Sequence, residues 1–281
     1  MSRLFKYGAE EGDRLLPAAV DSGTQFALSQ PLTFYGRQYS NVYILSNGAI
    51  GFSRASRSYR LNPLTTGGAD GLPLIAPFWN RNDLTKGGAV YFREITEGRL
   101  LQRGESEIRY QYDVEVDVKA ALLVTWEEMQ PTPRKLDADQ TNTFQVCIFI
   151  AENGTFANMI YSNVGWMQGA QTGFTSGSTD AEAFSLRLQG ADGRTPQYLA
   201  DYGNTGIPGE WMFRIDMPDR VVSCKPGVTG DTCDQACSSN FWGYDCAGCC
   251  HCAPSGRSDL ESGRNCDIKT GECPPSTGLS S

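Results

Sequence analysis

Hydrophobic positions recur every second residue in short runs along most of the chain, with glycine and proline between the runs. In NVYILSNGAIGF, Val42 and Ile44 lead into Asn47-Gly48, and Ile50 and Phe52 follow. Successive side chains of a strand point to opposite faces, so this alternation predicts half-buried strands. The Asn-Gly pair tolerates positive φ and predicts a hairpin turn. The same pattern predicts strands in GGAVYFREI, ALLVTWEEM, QTGFTS, AFSLRLQG and GEWMFRIDM. FQVCIFIAENGTFANMIYSNV predicts two more, turning at Asn153-Gly154. RYQYDVEVDV reads as a further strand, with Val114, Val116 and Val118 on one face and Asp113, Glu115 and Asp117 on the other. No long helical period stands out. The expectation is an all-β chain, an antiparallel β-sandwich-like or jelly-roll-like domain of about 200 residues. Trp79, Trp126, Trp166 and Trp211 lie in or beside the runs and are expected in the core.

The alternation stops near Pro218, and the cysteines take over. Cys147 stands alone in the first part, whereas the other nine of the ten cysteines fall between Cys224 and Cys273. The chain therefore divides into 1–218, which can bury a core, and 219–281, a disulfide-rich region that cannot. The segment CAGCCHC, Cys246 to Cys252, contains the only histidine, His251, and its Cys246–Cys249 pair has the spacing of half a zinc site. Against zinc, CKPGVTGDTC and CSSNFWGYDC each enclose eight residues with a glycine, Gly230 or Gly243, before the second cysteine. Such loops have no role in holding zinc and suit short disulfide-closed turns.

Charge narrows the partners. A net charge of −8 repels nucleic-acid phosphates and anionic lipid surfaces. No apolar run approaches the roughly 18 residues of a membrane helix. The first residues, MSRLFKYGAEEGDRLL, lack the apolar stretch of a signal peptide. Oxidised cysteines require a secretory route, so the chain is expected to be a piece of a longer secreted protein or an incomplete gene product.

Several separated motifs together resemble one family. LFKYGAEEGDRLLP, LTFYGRQYSNVYILSNGAIGF, LIAPFWNRND, LLVTWEEM, NTFQVCIFIAENGTFANMIYSNVGW, AQTGFTSG and GIPGEWMFRID follow one another in order between residues 4 and 217. They resemble the nidogen-type extracellular (NIDO) domain. Two positions depart from that pattern. Asn80-Arg81-Asn82-Asp83 replaces a more acidic segment after APFW, so no ion-binding role is carried over. Cys147 stands where an aliphatic residue is usual. The tail resembles EGF-like and laminin-type EGF segments, a likeness that implies the bridges Cys224–Cys233, Cys237–Cys246, Cys250–Cys266 and Cys252–Cys273. Each would contribute about 3 kcal/mol on the chain-entropy model. Cys249 is additional to the module pattern, and Pro275 stands where a laminin-type module would continue. Cys147 and Cys249 could pair with each other, pair with another chain, or remain free thiols.

The resemblance implies a non-enzymatic, secreted protein of the extracellular matrix or cell surface. Its implied work is cell–matrix adhesion through rigid β surfaces, with EGF-like spacers and with matrix or cell-surface proteins and glycans as partners. Asn153-Gly154-Thr155 is an N-glycosylation sequon at a turn, which makes Asn153 the expected glycan site. Asp113, Glu115 and Asp117 read as a solvated, edge-protecting face, since calcium needs oxygens converging from several directions. Neither a nucleotide-binding motif nor a histidine-based catalytic pair is present outside the tail, and no cofactor or metal is expected. The alternatives are an all-β carbohydrate-active hydrolase working through paired carboxylates and a zinc-binding intracellular adaptor.

Overall fold

The structure is a computed structural model and describes residues 4–57, 59, 64, 71–132, 135–178, 183–252 and 266–273. Two antiparallel six-stranded sheets pack face to face. The first has the order β1 (Arg14–Leu15), β6 (Ala89–Ile95), β7 (Val118–Met129), β8 (Asn142–Ala151), β9 (Gly154–Val164) and β12 (Glu210–Arg214). The second has the order β11 (Phe184–Ser185), β10 (Gln171–Thr175), β5 (Leu74–Trp79), β4 (Ala49–Gly51), β3 (Arg37–Leu45) and β2 (Gly23–Phe34).

The central strands of the first sheet are buried on both faces, and the alternation sorts their side chains. Leu122, Val124 and Trp126 of β7 and Phe144, Val146 and Ile148 of β8 face the opposite sheet. Ala121 and Leu123 of β7, with Cys147 and Phe149 of β8, face outward into a second apolar layer. The four tryptophans expected in the core are all buried. Trp126 donates its indole N–H to the Leu45 carbonyl across the sandwich at 2.9 Å, so its polar atom is satisfied where water is absent.

The second layer is closed by a helix that the strand pattern does not predict. α1 (Arg99–Tyr112) turns Leu101, Ile108 and Tyr112 toward the outer face of the first sheet. RYQYDVEVDV is therefore not one strand. Its start completes α1, Asp113 ends the helix with φ 56°, and the next strand begins only at Val118. Gly104 explains how an interior glycine persists in the helix. A Cβ there would lie 2.4 Å from the Phe149 ring, so glycine permits the close approach at the cost of about 1 kcal/mol in helix propensity.

The hairpins follow the Asn-Gly signals with one difference in detail. β3 and β4 pair around Ser46-Asn47-Gly48, but only Gly48 has positive φ, and a Cβ there would lie 1.9 Å from the Phe78 carbonyl oxygen. β8 and β9 turn through Glu152-Asn153, with Gly154 opening β9 opposite Ala151.

Candidate interaction surface

Packing of the β body continues through Val222. Arg214 and Val222 exchange two backbone hydrogen bonds, and Val222 is fully buried in the helix-side layer. The chain then enters the bridged tail. The structure holds four disulfides there: Cys224–Cys233, Cys237–Cys246, Cys250–Cys266 and Cys252–Cys273. These bonds occupy the thiols that a zinc knuckle would need, and His251 is exposed. Among the described residues, Cys147 and Cys249 carry no bridge. Cys147 is buried, with burial pushing its thiol pKa well up, and Cys249 is exposed. Pro275 lies outside the described residues.

The tail base is seated on the body. The Tyr244 ring meets Tyr112 edge-on at 6.4 Å, and the Tyr112 hydroxyl donates to the Val222 carbonyl at 3.1 Å. Asp245 accepts from the backbone N–H groups of Ser223 at 3.1 Å and Cys224 at 2.6 Å. Burial raises the Asp245 pKa, opposed by these N–H donors and by the charge of Arg220. Lys269 reaches Asp113 at 3.4 Å. Gln111 on α1 donates to the carbonyls of Asn204 and Ser223 at 3.1 and 3.0 Å. This replaces water at the junction with direct protein partners.

Two concavities lie between the body and the tail, and a third lies on the body itself. One of about 660 Å³ lies between β11 and the first bridged loop, with Arg187, Arg220 and Asp231 on its walls. Another, of about 400 Å³, adjoins it through Asp231 and includes Tyr198 and Tyr202. A third, of about 360 Å³, runs between α1 and residues 205–207 beside Tyr110. Tyr110 and Tyr202 are 69% and 50% exposed, and Lys225 stands over the Tyr110 ring at 5.5 Å. Exposed aromatic rings beside concave surface are a common feature of recognition faces.

Other residues singled out by the sequence lie elsewhere. Asn153 is exposed at the tip of the β8–β9 hairpin, where its side chain donates to the Glu115 carbonyl at 3.2 Å. Asp113, Glu115 and Asp117 do not form one strand face; they bound the link after α1 and pair singly with Lys269, Arg109 and Lys119. Asn80, Asn82 and Asp83 are a buried polar corner. Asn80 donates to the Met167 carbonyl at 2.6 Å and Asn82 to the Ser46 carbonyl at 2.9 Å. Burial acts to raise the Asp83 pKa, yet hydrogen bonds from Thr85 and the Lys86 charge win and hold it low. That corner pins loops together.

A family model for the nidogen-like domain matches residues 40–217, well over half of the chain. The chain belongs to the nidogen-like domain family. The match begins inside β3, so β1 and β2 complete the sandwich from residues before it. A Caenorhabditis elegans relative, Dendrite extension defective protein 1, is 55% identical over 255 residues, covering 90% of this chain and 22% of that protein. Nidogen of Drosophila melanogaster is 29% identical over 75% of this chain and 16% of its own length. Human alpha-tectorin is 29% identical over 76% of this chain and 10% of its own length. The chain thus spans about a fifth or less of these relatives. No solved structure matches it.

Proposed function

We propose that this chain is a non-catalytic module of an extracellular-matrix or cell-surface protein, and that it supports cell–matrix adhesion by presenting rigid β surfaces. The supporting observation is the family match over residues 40–217, laid on a sandwich whose central strands are buried on both faces. A body of this kind holds a recognition surface in place without ordering cost on binding. The relatives' names fit the reading: two are nidogen and alpha-tectorin, and a third is named for dendrite extension. In this proposal the bridged tail, an EGF-like segment, begins as a fixed extension of the body and serves as a spacer beyond it. Secretion places it in an oxidising compartment, where its bridges persist. Asn153 is proposed as the glycan site, exposed on a hairpin tip.

Binding to decellularised matrix tests the proposal. The chain secreted from eukaryotic cells is expected to bind saturably, and the reduced, alkylated tail peptide alone is expected not to bind. Absence of saturable binding by the whole chain would contradict adhesion as its work.

A further inference from the structure

The cleft between β11 and the first bridged loop carries a specific surplus of donors. Arg187 is exposed and Arg220 half-buried, and both line it. Among the described residues neither guanidinium has an ion-pair partner. The two carboxylates in the same cleft accept backbone N–H bonds. Asp245 accepts from the N–H groups of Ser223 and Cys224, and Asp231 accepts from the Gln189 N–H at 2.6 Å. Arg220 lies close enough for its charge to act on Asp245 without an ion pair between them. Ser185, Ser223 and Thr229 line the same space, and their hydroxyls make no side-chain hydrogen bond among the described residues. Phe184 adds a half-buried ring. The volume of about 660 Å³ falls within the ordinary range of small-ligand sites.

Each available group constrains the occupant. Guanidinium forks select a planar oxyanion and can hold it bidentately. Hydroxyls that both donate and accept match a ligand bearing several hydroxyls of its own. An aromatic wall suits the apolar face of a ring. The net charge of −8 disfavours a long polyanion and leaves room for a single acidic residue. We propose that this cleft binds a carboxylated sugar at the end of a glycan, with its carboxylate against Arg187 and Arg220 and its hydroxyls on Ser185, Ser223 and Thr229. An acidic peptide would answer the arginines but bring fewer hydroxyls to those of Ser185, Ser223 and Thr229. The inference rests on the extracellular reading above and assigns it a ligand class.

The test titrates the intact secreted chain with sialyllactose, a glucuronate-terminated disaccharide, lactose, and a short acetylated Asp/Glu peptide. At least one carboxylated sugar is expected to bind, with lactose and the peptide weaker by at least about tenfold, the scale of one lost charge-assisted hydrogen bond. Arg187→Glu is expected to abolish sugar binding without moving the melting transition, because Arg187 is exposed and supports no ion pair. Arg220→Gln is expected to weaken binding by at least about tenfold. Should Arg220→Gln misfold, Arg187→Glu still decides the matter. The proposal is overturned if neither acidic sugar binds, if lactose binds equally, if the peptide binds more tightly than both sugars, or if Arg187→Glu binds like the parent chain. Matrix binding is measured in parallel on the parent chain. Matrix binding without sugar binding refutes the cleft assignment alone, whereas sugar binding without matrix binding refutes adhesion alone.

Discussion

Trp126 and Trp242 hold their places by different means. Trp126 is fully buried between the sheets, stacked on Phe144 at 5.1 Å. Trp242, in the tail strand Phe241–Trp242, is half-buried and packs against two glycines. A Cβ on Gly248 or Gly271 would come within 2.6 or 2.4 Å of its ring. The body fixes an aromatic side chain with layers of apolar neighbours, worth roughly 25 cal/mol per Å² buried. The tail has too few such neighbours, so it brings backbone against the ring and locks the loops with bridges. Its backbone shows the consequence: Cys233, Asp245 and Cys246 all adopt positive φ without being glycine. Such conformations persist only where the surroundings over-determine them, and here two of the three residues are bridge cysteines. A region stabilised by burial and one stabilised by cross-links thus meet along a single seam.

Substitutions should separate the two regimes. The largest effect is expected in the body. Trp126→Ala removes a fully buried side chain and an indole hydrogen bond, and should lower unfolding stability by about 3–5 kcal/mol in denaturant titration. A loss under about 1 kcal/mol would mean that the sandwich core is not what holds the body. Next, replacing Cys237 and Cys246 together by serine opens a short loop worth roughly 3 kcal/mol. Limited proteolysis should then cut within residues 224–252, with the melt of the body unchanged. A lowered body melt would show that the seam transmits the tail's stability inward.

Smaller effects test the seam itself. The folded-state pKa of Asp245 is raised, chiefly by burial. A carboxyl with a raised folded pKa is favoured when protonated, so its contribution to folding is present below the unfolded pKa and declines as pH rises through the folded one. The stability difference between the parent chain and Asp245→Asn should therefore shift in favour of the parent as pH falls from about 7 toward about 4. Urea titrations at several pH values read this directly, and a shift of opposite sign would reject the burial account. The smallest effect is expected at Asn153. Asn153→Gln should increase gel mobility by removing a glycan, while stability changes by less than about 0.5 kcal/mol. Unchanged mobility before and after glycosidase treatment would remove Asn153 as a glycan site.

The sandwich was legible where one face of a strand is polar or where a turn residue is diagnostic. Val42, Ile44, Ile50 and Phe52 around Gly48 are such a case. α1 was not, for two reasons. Its apolar face is thin, with Gly104 and Gln111 among its buried positions, and the valines at 114, 116 and 118 imitate a strand. Those valines pack against the helix-side layer, so their alternation reflects a half-buried link continuing into β7. The edge strand β2 is hard to see because half of its residues are exposed and its pairing shifts between Ala27 and Leu32, near Pro31. The seam could not be read at all. It brings Tyr244 to Tyr112 and Lys269 to Asp113, contacts separated by 132 and 156 residues, and no local period carries that information.

Hydrogen exchange in mild reductant tests the central contrast most directly. The body contains one cysteine, buried and unbridged, so reduction leaves its core contacts in place. The account predicts that amides of β7, β8 and β9 keep their protection while those of residues 224–252 exchange freely. Loss of protection in β7–β9 on reduction would contradict it, because the body would then depend on a cross-link rather than on burial between its sheets.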